Sequence, residues 1–259
     1  MVYQSRRICR IFCRKKNLIG DIMRYKAILF DLDGTLLPMD NDTFTSAYFK
    51  LLSSKLSPYG IDRELLEEAT WRVLNAMADN DGIKTNEETY WDVFTDVTGK
   101  SQEELGAICD EFYEKDFHRA RVYTEENPYA RQAVSLAHKL ADQVILATNP
   151  FFPIAGQETR MSWVGLSSED FDLVTSYEES HYCKPNPNYY LDVCRQIDAE
   201  PQECLLIGND EDDDMHAGAR AGLNCYLVTD SLVPSKHRAW RGAKGSMKDL
   251  IHLLEKQVS

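Results

Sequence analysis

Two aspartates one residue apart, Asp31 and Asp33, end a short apolar run and are followed by Gly34 and Thr35. The run Ala27-Ile28-Leu29-Phe30 is too short for a helix and is followed by a turn signal, so it predicts a fully buried strand. A buried strand that empties into two carboxylates puts acids where open α/β sheets gather ligands, outside the carboxyl ends of the strands. Gly34 lets the backbone leave that strand sharply. Other apolar runs end in the same way. Val144 to Ala147 runs into Thr148 and Asn149, Phe171 to Thr175 precedes the segment Lys184-Pro185-Asn186-Pro187, and Cys204 to Ile207 runs into Gly208, Asn209 and Asp210, with Asp214 beyond. Carboxylates, a hydroxyl and a lysine together make a balanced site for a phosphate and a divalent cation. Mg²⁺ prefers carboxylate oxygens, commonly one or two of them with phosphate oxygens and water. Lysine supplies a compact positive charge for a phosphoryl group, and the Thr148 hydroxyl can donate to a phosphate oxygen.

Those polar ends must be carried by regular elements, and the hydrophobic periodicity says which. After Thr35 the pattern is helical to about residue 121. Phe44, Tyr48, Leu51, Leu52 and Leu56 share one face, as do Leu66, Ala69, Val73 and Met77, and then Tyr90, Val93, Phe94 and Val97. Ser101 with Glu104 three residues later is a capping-box start for a further helix through Leu105, Ile108 and Phe112. From Asn127 onward helix and strand alternate, which implies a parallel sheet with helices on both faces. The expected architecture is therefore α/β: a Rossmann-like, three-layer core with a parallel sheet over residues 23–36 and 122–259, interrupted by an α-helical domain over 37–121. Trp71, Trp91 and Trp163 fall in helical patterns and are expected to pack.

Composition narrows the partners. Hydrophobic residues make up 43% and charged residues 27% of 259 residues, the balance of an ordinary globular chain with room for a core and a second small domain. The net charge of −13 repels nucleic acid and anionic membrane surfaces, so neither is expected as a partner. Residues 1–22 differ from the rest: six basic side chains against Asp21 give +5 and leave −18 for the remainder. Their apolar residues are too interrupted by arginine for a signal peptide or a membrane span. The segment reads as a disordered extension or an upstream start before Met23, with a short basic amphipathic segment as the other reading. Seven scattered cysteines without CxxC spacing point to free thiols in a reducing, cytoplasmic setting. His181 and Cys183 lack a second pair at zinc spacing.

Asp31-Leu32-Asp33-Gly34-Thr35, then Thr148 with Asn149, Lys184, and Gly208 to Asp214, in this order, resemble the four motifs of the haloacid dehalogenase superfamily over about residues 24–230. The resemblance implies that the helical insertion is a cap closing over the substrate. It implies phosphoryl transfer through an aspartyl phosphate, with Asp31 as nucleophile and Asp33 as general acid and base. Thr148, Asn149 and Lys184 would bind the phosphoryl group, and Mg²⁺ would sit between Asp31, the backbone carbonyl of Asp33 and a side chain of the fourth motif. There the chain departs from the usual pattern, because Asn209 stands where an aspartate is common. Asn209 and Asp210 are both open as the ligand, Asp214 is a further alternative, and a hard cation favours Asp210. Asp212 and Asp213 are read as first-turn acids complementing a helix dipole. The expected function is an Mg²⁺-dependent phosphohydrolase for a small phosphorylated metabolite. A sugar phosphomutase and a non-catalytic phosphate- or metal-binding module are the alternatives, while dehalogenation would not need Asp33.

Overall fold

Strand β1 (Tyr25–Phe30) is hydrogen-bonded along both edges, to β2 (Ala141–Leu146) and to β4 (Cys204–Gly208), so its backbone groups are satisfied within the sheet. Ala27 to Phe30 are wholly buried, and alternate residues enter two different cores. Ile28 and Phe30 face one cluster, Ala27 and Leu29 the other. Burial on both faces is what a parallel sheet sandwiched between helices requires. The computed structural model describes residues 24–258 of the chain. Its sheet has the order β3-β2-β1-β4-β5-β6, parallel at every pairing, with β3 at Leu173–Val174, β5 at Asn224–Val228 and β6 at Ala243–Gly245. The chain adds β2 and β3 on one side of β1, then crosses to add β4, β5 and β6 on the other. β1 and β4 therefore border the switch point where a crevice opens at the strand ends.

Between β1 and β2 lie α1 (Asn41–Leu56), α2 (Arg63–Ala78), α3 (Asn86–Thr98) and α4 (Gln102–Glu111), then a π turn (Phe112–Asp116) and a 3₁₀ segment (Phe117–Tyr123). Local signals start these helices. Asp40 accepts from the Thr43 N–H at 2.9 Å, and Glu88 and Glu104 reach back to the N–H groups of Thr85 and Ser101. Leu66, Ala69, Val73 and Met77 form the buried stripe of α2 as their spacing predicts. Entry and exit of the insertion lie side by side: Met39 bridges Thr124, and Glu125 N–H donates to the Pro38 carbonyl at 2.8 Å. Aromatic rings weld the insertion to the core. Tyr48 meets Phe152 edge-on at 5.4 Å, and Phe117 stands 5.4 Å from Trp163.

Helices α5 (Ala130–Leu140) and α9 (Met247–Val258) pack on one face of the sheet, and α7 (Pro187–Gln196) and α8 (Ala217–Ala221) on the other; α6 (Ile154–Ser162) follows β2. Three details depart from the sequence reading. The strand expected over 171–175 is reduced to Leu173–Val174, because Phe171 closes a 3₁₀ turn on Ser168 and the Asp172 carboxylate takes the Val144 N–H at 2.8 Å. A side chain thus blunts this sheet edge. Trp71 is 68% exposed and not a packing residue, whereas Trp91 and Trp163 are buried. Strand β6 is the third, since Ala-Lys-Gly carries no hydrophobic pattern and is recruited only by pairing with β5. The basic segment 1–22, with Cys9 and Cys13, lies outside the described residues. The five cysteines within them are free thiols, and no described helix is long and apolar enough to cross a membrane.

Candidate active site

Register brings the polar residues together. Phe30 is paired with Leu146 on one side and Ile207 on the other, so the residues that follow each strand emerge side by side. Asp31 N–H donates to the Ile207 carbonyl at 2.9 Å, and Ala147 N–H to the Phe30 carbonyl at 2.7 Å. The chain then turns tightly, with Gly34 at φ +81° against the Asn209 amide; a Cβ at Gly34 would stand 2.2 Å from Asn209 Nδ2. Only glycine meets both demands.

Lys184 is 3% exposed, and its Nζ lies 2.7 Å from Asp31 Oδ1 and 2.7 Å from Asp214 Oδ1. Burial alone would lower its pKa, but Asp214 and Asp31 reverse this and hold it well above the ordinary lysine range. Burial pushes the Asp31 carboxyl up; Lys184 pulls it down, and Asp214 and Asp33 push it up again. The second Asp31 oxygen accepts from the Thr35 hydroxyl at 3.0 Å.

Asp214 spends both oxygens on organising the site. Oδ1 accepts from Lys184 and from the Tyr190 hydroxyl at 3.1 Å, and Oδ2 from the N–H groups of Asn209 and Asp210 at 3.1 and 3.0 Å. Gly208 permits this fold-back, since a Cβ there would meet Asp214 Oδ2 at 2.3 Å. Asn209 is likewise engaged: Nδ2 donates to the Ser231 carbonyl at 2.7 Å, and Oδ1 lies 3.0 Å from the Thr35 hydroxyl. Asp210 caps the π turn Glu211–His216, its Oδ1 accepting from the N–H groups of Asp212 and Asp213 at 2.7 and 2.8 Å. Its other oxygen makes no bond to the described residues. Asp213 is not the solvated helix-dipole acid its position implies. It lines the cavity within 3.5 Å of Asn149 Nδ2, and burial, with Asp210 and Asp214, pushes its carboxyl up to about 7. The wide turn aims it inward, and a one-dimensional pattern of five successive acids, Asp210 to Asp214, does not reveal which one turns.

Thr148 is buried at the end of β2, its carbonyl held by the Thr175 and Tyr189 hydroxyls at 2.7 and 2.8 Å and its side chain lining the cavity. Asn149 Oδ1 accepts the Lys184 N–H at 3.3 Å, tying the β2 loop to the lysine loop. Asp33 forms an ion pair with Arg160 of α6, a residue that sequence reasoning missed. Arg160 is wholly buried, its guanidinium carbon 4.2 Å from the centre of the Phe152 ring. It leaves Asp33 Oδ1 buried without a hydrogen-bond partner among the described residues. The available signal was an arginine on the inward stripe of α6 with Gly156 and Gln157.

These groups line one end of a cavity of about 350 Å³ closed on its other side by α1, α2 and α3. The model of the haloacid dehalogenase-like hydrolase family matches residues 25–222. The chain belongs to that family. Among similar members, pyrophosphatase PpaX of Bacillus mycoides is 25% identical over 242 residues, 90% of this chain and 99% of that one. Glyceraldehyde 3-phosphate phosphatase of Methanopyrus kandleri is 24% identical over 203 residues, 76% of this chain and 81% of that one. In fold, the chain is similar to the HAD-hydrolase YfnB of Bacillus subtilis, solved bound to magnesium, with a TM-score of 0.55 at 18% identity over 90% of this chain and 99% of that one.

Haloacid dehalogenase-like hydrolases imply a divalent cation, and the donor chemistry here fits one. Five carboxylates, from Asp31, Asp33, Asp210, Asp213 and Asp214, line the cavity, and Lys184 is the one cationic side chain among its lining residues. Even with Arg160 behind Asp33, negative charge stays in excess. The described residues contain no ready cage of three His, Cys, Asp or Glu side chains. Mg²⁺ does not need one, because it is usually held by one or two carboxylates with carbonyl, water and phosphate oxygens.

Proposed function

We propose that the protein is an Mg²⁺-dependent phosphohydrolase acting on a small phosphate monoester through an aspartyl phosphate on Asp31. The observation that carries this reading is Lys184, held 2.7 Å from Asp31 inside a cavity screened by the helical insertion. Asp31 attacks phosphorus, and the ester oxygen leaves with a proton from Asp33. Asp33 then takes a proton from the water that hydrolyses the acyl phosphate. Arg160 fixes the orientation of the Asp33 carboxylate through its ion pair at Oδ2. Lys184, Thr148 and Asn149 hold the phosphoryl oxygens in place. The insertion over 37–121 acts as a cap that keeps bulk water from the acyl phosphate. Asp31, the Asp33 carbonyl and Asp210 would hold Mg²⁺, which supplies Lewis-acid neutralisation of phosphoryl charge when bound. Asp210 is preferred over Asn209 because its carboxylate carries a charge that the amide lacks, and over Asp214 because both Asp214 oxygens are bonded to Lys184, Tyr190 and backbone N–H groups whereas Asp210 keeps one oxygen unengaged.

The test is release of inorganic phosphate from p-nitrophenyl phosphate in Mg²⁺ and in chelator. Turnover is expected only with Mg²⁺; equal rates in both would sink the metal dependence. Asp210→Ala should raise the Mg²⁺ concentration for half-maximal rate by at least about tenfold, while Asn209→Ala shifts it less. The opposite order would reassign the ligand.

Arg160 gives a separate expectation. Arg160→Lys keeps the charge but loses the planar fork, and should lower kcat by about 10²-fold with KM little changed, as expected for loss of an oriented proton carrier. A change confined to KM would remove Arg160 from the positioning of Asp33.

A further inference from the structure

The two halves of the cavity have opposite chemistry. The sheet end carries every charge: five carboxylates and Lys184. The half contributed by α1, α2 and α3 contains neither a cationic nor an acidic lining side chain; its surface is built mainly from Phe44, Tyr48, Phe49, Val73, Leu74 and Tyr90. Its rings are already packed. Tyr48 stands edge-on to Phe112, Phe117 and Phe152 at 5.4 to 6.0 Å, and Tyr90 stacks on Phe94 at 5.4 Å with an interplanar angle of 11°. The Tyr48 hydroxyl is paired with that of Tyr113 at 2.9 Å, so it has little to offer a ligand. Burial holds Tyr48, Tyr90 and Tyr113 above the ordinary tyrosine range, and all three stay neutral at physiological pH.

We propose that the physiological substrate is the phosphate monoester of an uncharged apolar or aromatic alcohol, with no second anionic group. This deepens the phosphohydrolase reading and rests on it. A phosphoryl group placed at Asp31 and Lys184 points its ester substituent toward the aromatic half. A carboxylate or second phosphate there would be stripped of water with no cation to pair with. A second Mg²⁺ bridging such a group would find no carboxylate on that half either. An apolar substituent instead buries its surface against preformed rings, and pockets of this kind discriminate by roughly 10- to 200-fold per methylene-sized group. Pyrophosphate, the substrate in the name of one relative, is therefore disfavoured for this chain.

The test compares benzyl phosphate with 2-phosphoglycolate and with pyrophosphate at fixed Mg²⁺. Benzyl phosphate and 2-phosphoglycolate both release an alkyl oxygen, so intrinsic reactivity does not favour benzyl phosphate as it would an aryl ester; pyrophosphate, an anhydride with a better leaving group, is biased against the expected result. Its kcat/KM is expected to exceed both others at least tenfold. Thr70→Lys and Leu74→Arg each put a cation on the apolar half, and each should raise the 2-phosphoglycolate to benzyl phosphate ratio tenfold or more; two sites guard against one variant failing to fold. Parent ratios within tenfold, or reversed, overturn the proposal. Calorimetry with benzylphosphonate and phosphonoacetate on the Mg²⁺-loaded parent reads the pocket without turnover. If no ester is hydrolysed, the phosphohydrolase reading fails. A tenfold tighter binding of benzylphosphonate would then still uphold the pocket's selectivity, and equal or inverted binding would overturn it.

Discussion

Asp31→Asn is expected to lower phosphate release by on the order of 10⁴-fold or more, the scale of removing a covalent nucleophile whose partners act as one unit. The substitution is nearly isosteric, and the amide oxygen can keep either the Thr35 contact at 3.0 Å or the Lys184 contact at 2.7 Å. What disappears is the nucleophilic oxygen and one negative charge. Because the site holds more carboxylates than cations, chelator-treated Asp31→Asn should melt no lower than chelator-treated parent. The parent should gain melting temperature on adding Mg²⁺, as any ligand bound only by the folded state provides, and the variant should gain less. Phosphate-release assays with paired thermal melts measure all three. Activity within tenfold of the parent would exclude Asp31 as nucleophile, and a variant that melts much lower would show that the charge balance described here is wrong.

Lys184→Met carries the largest expected loss of stability. The ammonium is the shared partner of two buried carboxylates, and a nearly isosteric apolar side chain leaves both without a counter-charge. Breaking a buried pair in this way costs about 3–5 kcal/mol, roughly a 6–20 °C fall in melting temperature for a chain of this size. Replacing both ends separates charge imbalance from lost packing. Asp31→Asn with Lys184→Met should be less destabilised than the sum of the single variants, with a coupling of about 1 kcal/mol or more between residues in direct contact. Denaturant titrations of the four proteins supply the cycle. Strict additivity would mean that Lys184 stabilises through its stem alone. Its turnover should fall on the order of 10²–10³-fold as well, since a preorganised charge is lost from the phosphoryl site.

Legibility varied with how local the cause was. The helix start at Ser101 depends on Glu104 three residues away and is visible in the sequence; the caps at Asp40 and Thr85 are equally local, and the structure adds them. Strand β1 is visible because a strand buried on both faces must be apolar throughout. Strand β6 and the shortened β3 were not, because each is decided at a sheet edge by neighbours far along the chain.

The chain by itself determined the alternation of helices and strands, the long helical insertion, and the placing of Asp31, Asp33, Thr148, Asn149 and the Asn209–Asp214 cluster at strand ends, because period and turn chemistry act over a few residues; Lys184 stands in the loop ten residues beyond β3. Tertiary structure alone decided how those groups divide their work. Asp33 meets Arg160 across 127 residues of sequence. Asp214 turns inward to Lys184 and Tyr190, Asn209 to Thr35 and Ser231, and Asp210 and Asp213 are left facing the cavity. The five neighbouring acids from Asp210 to Asp214 look alike in a sequence; they become distinct only when folding decides which oxygens already have a partner.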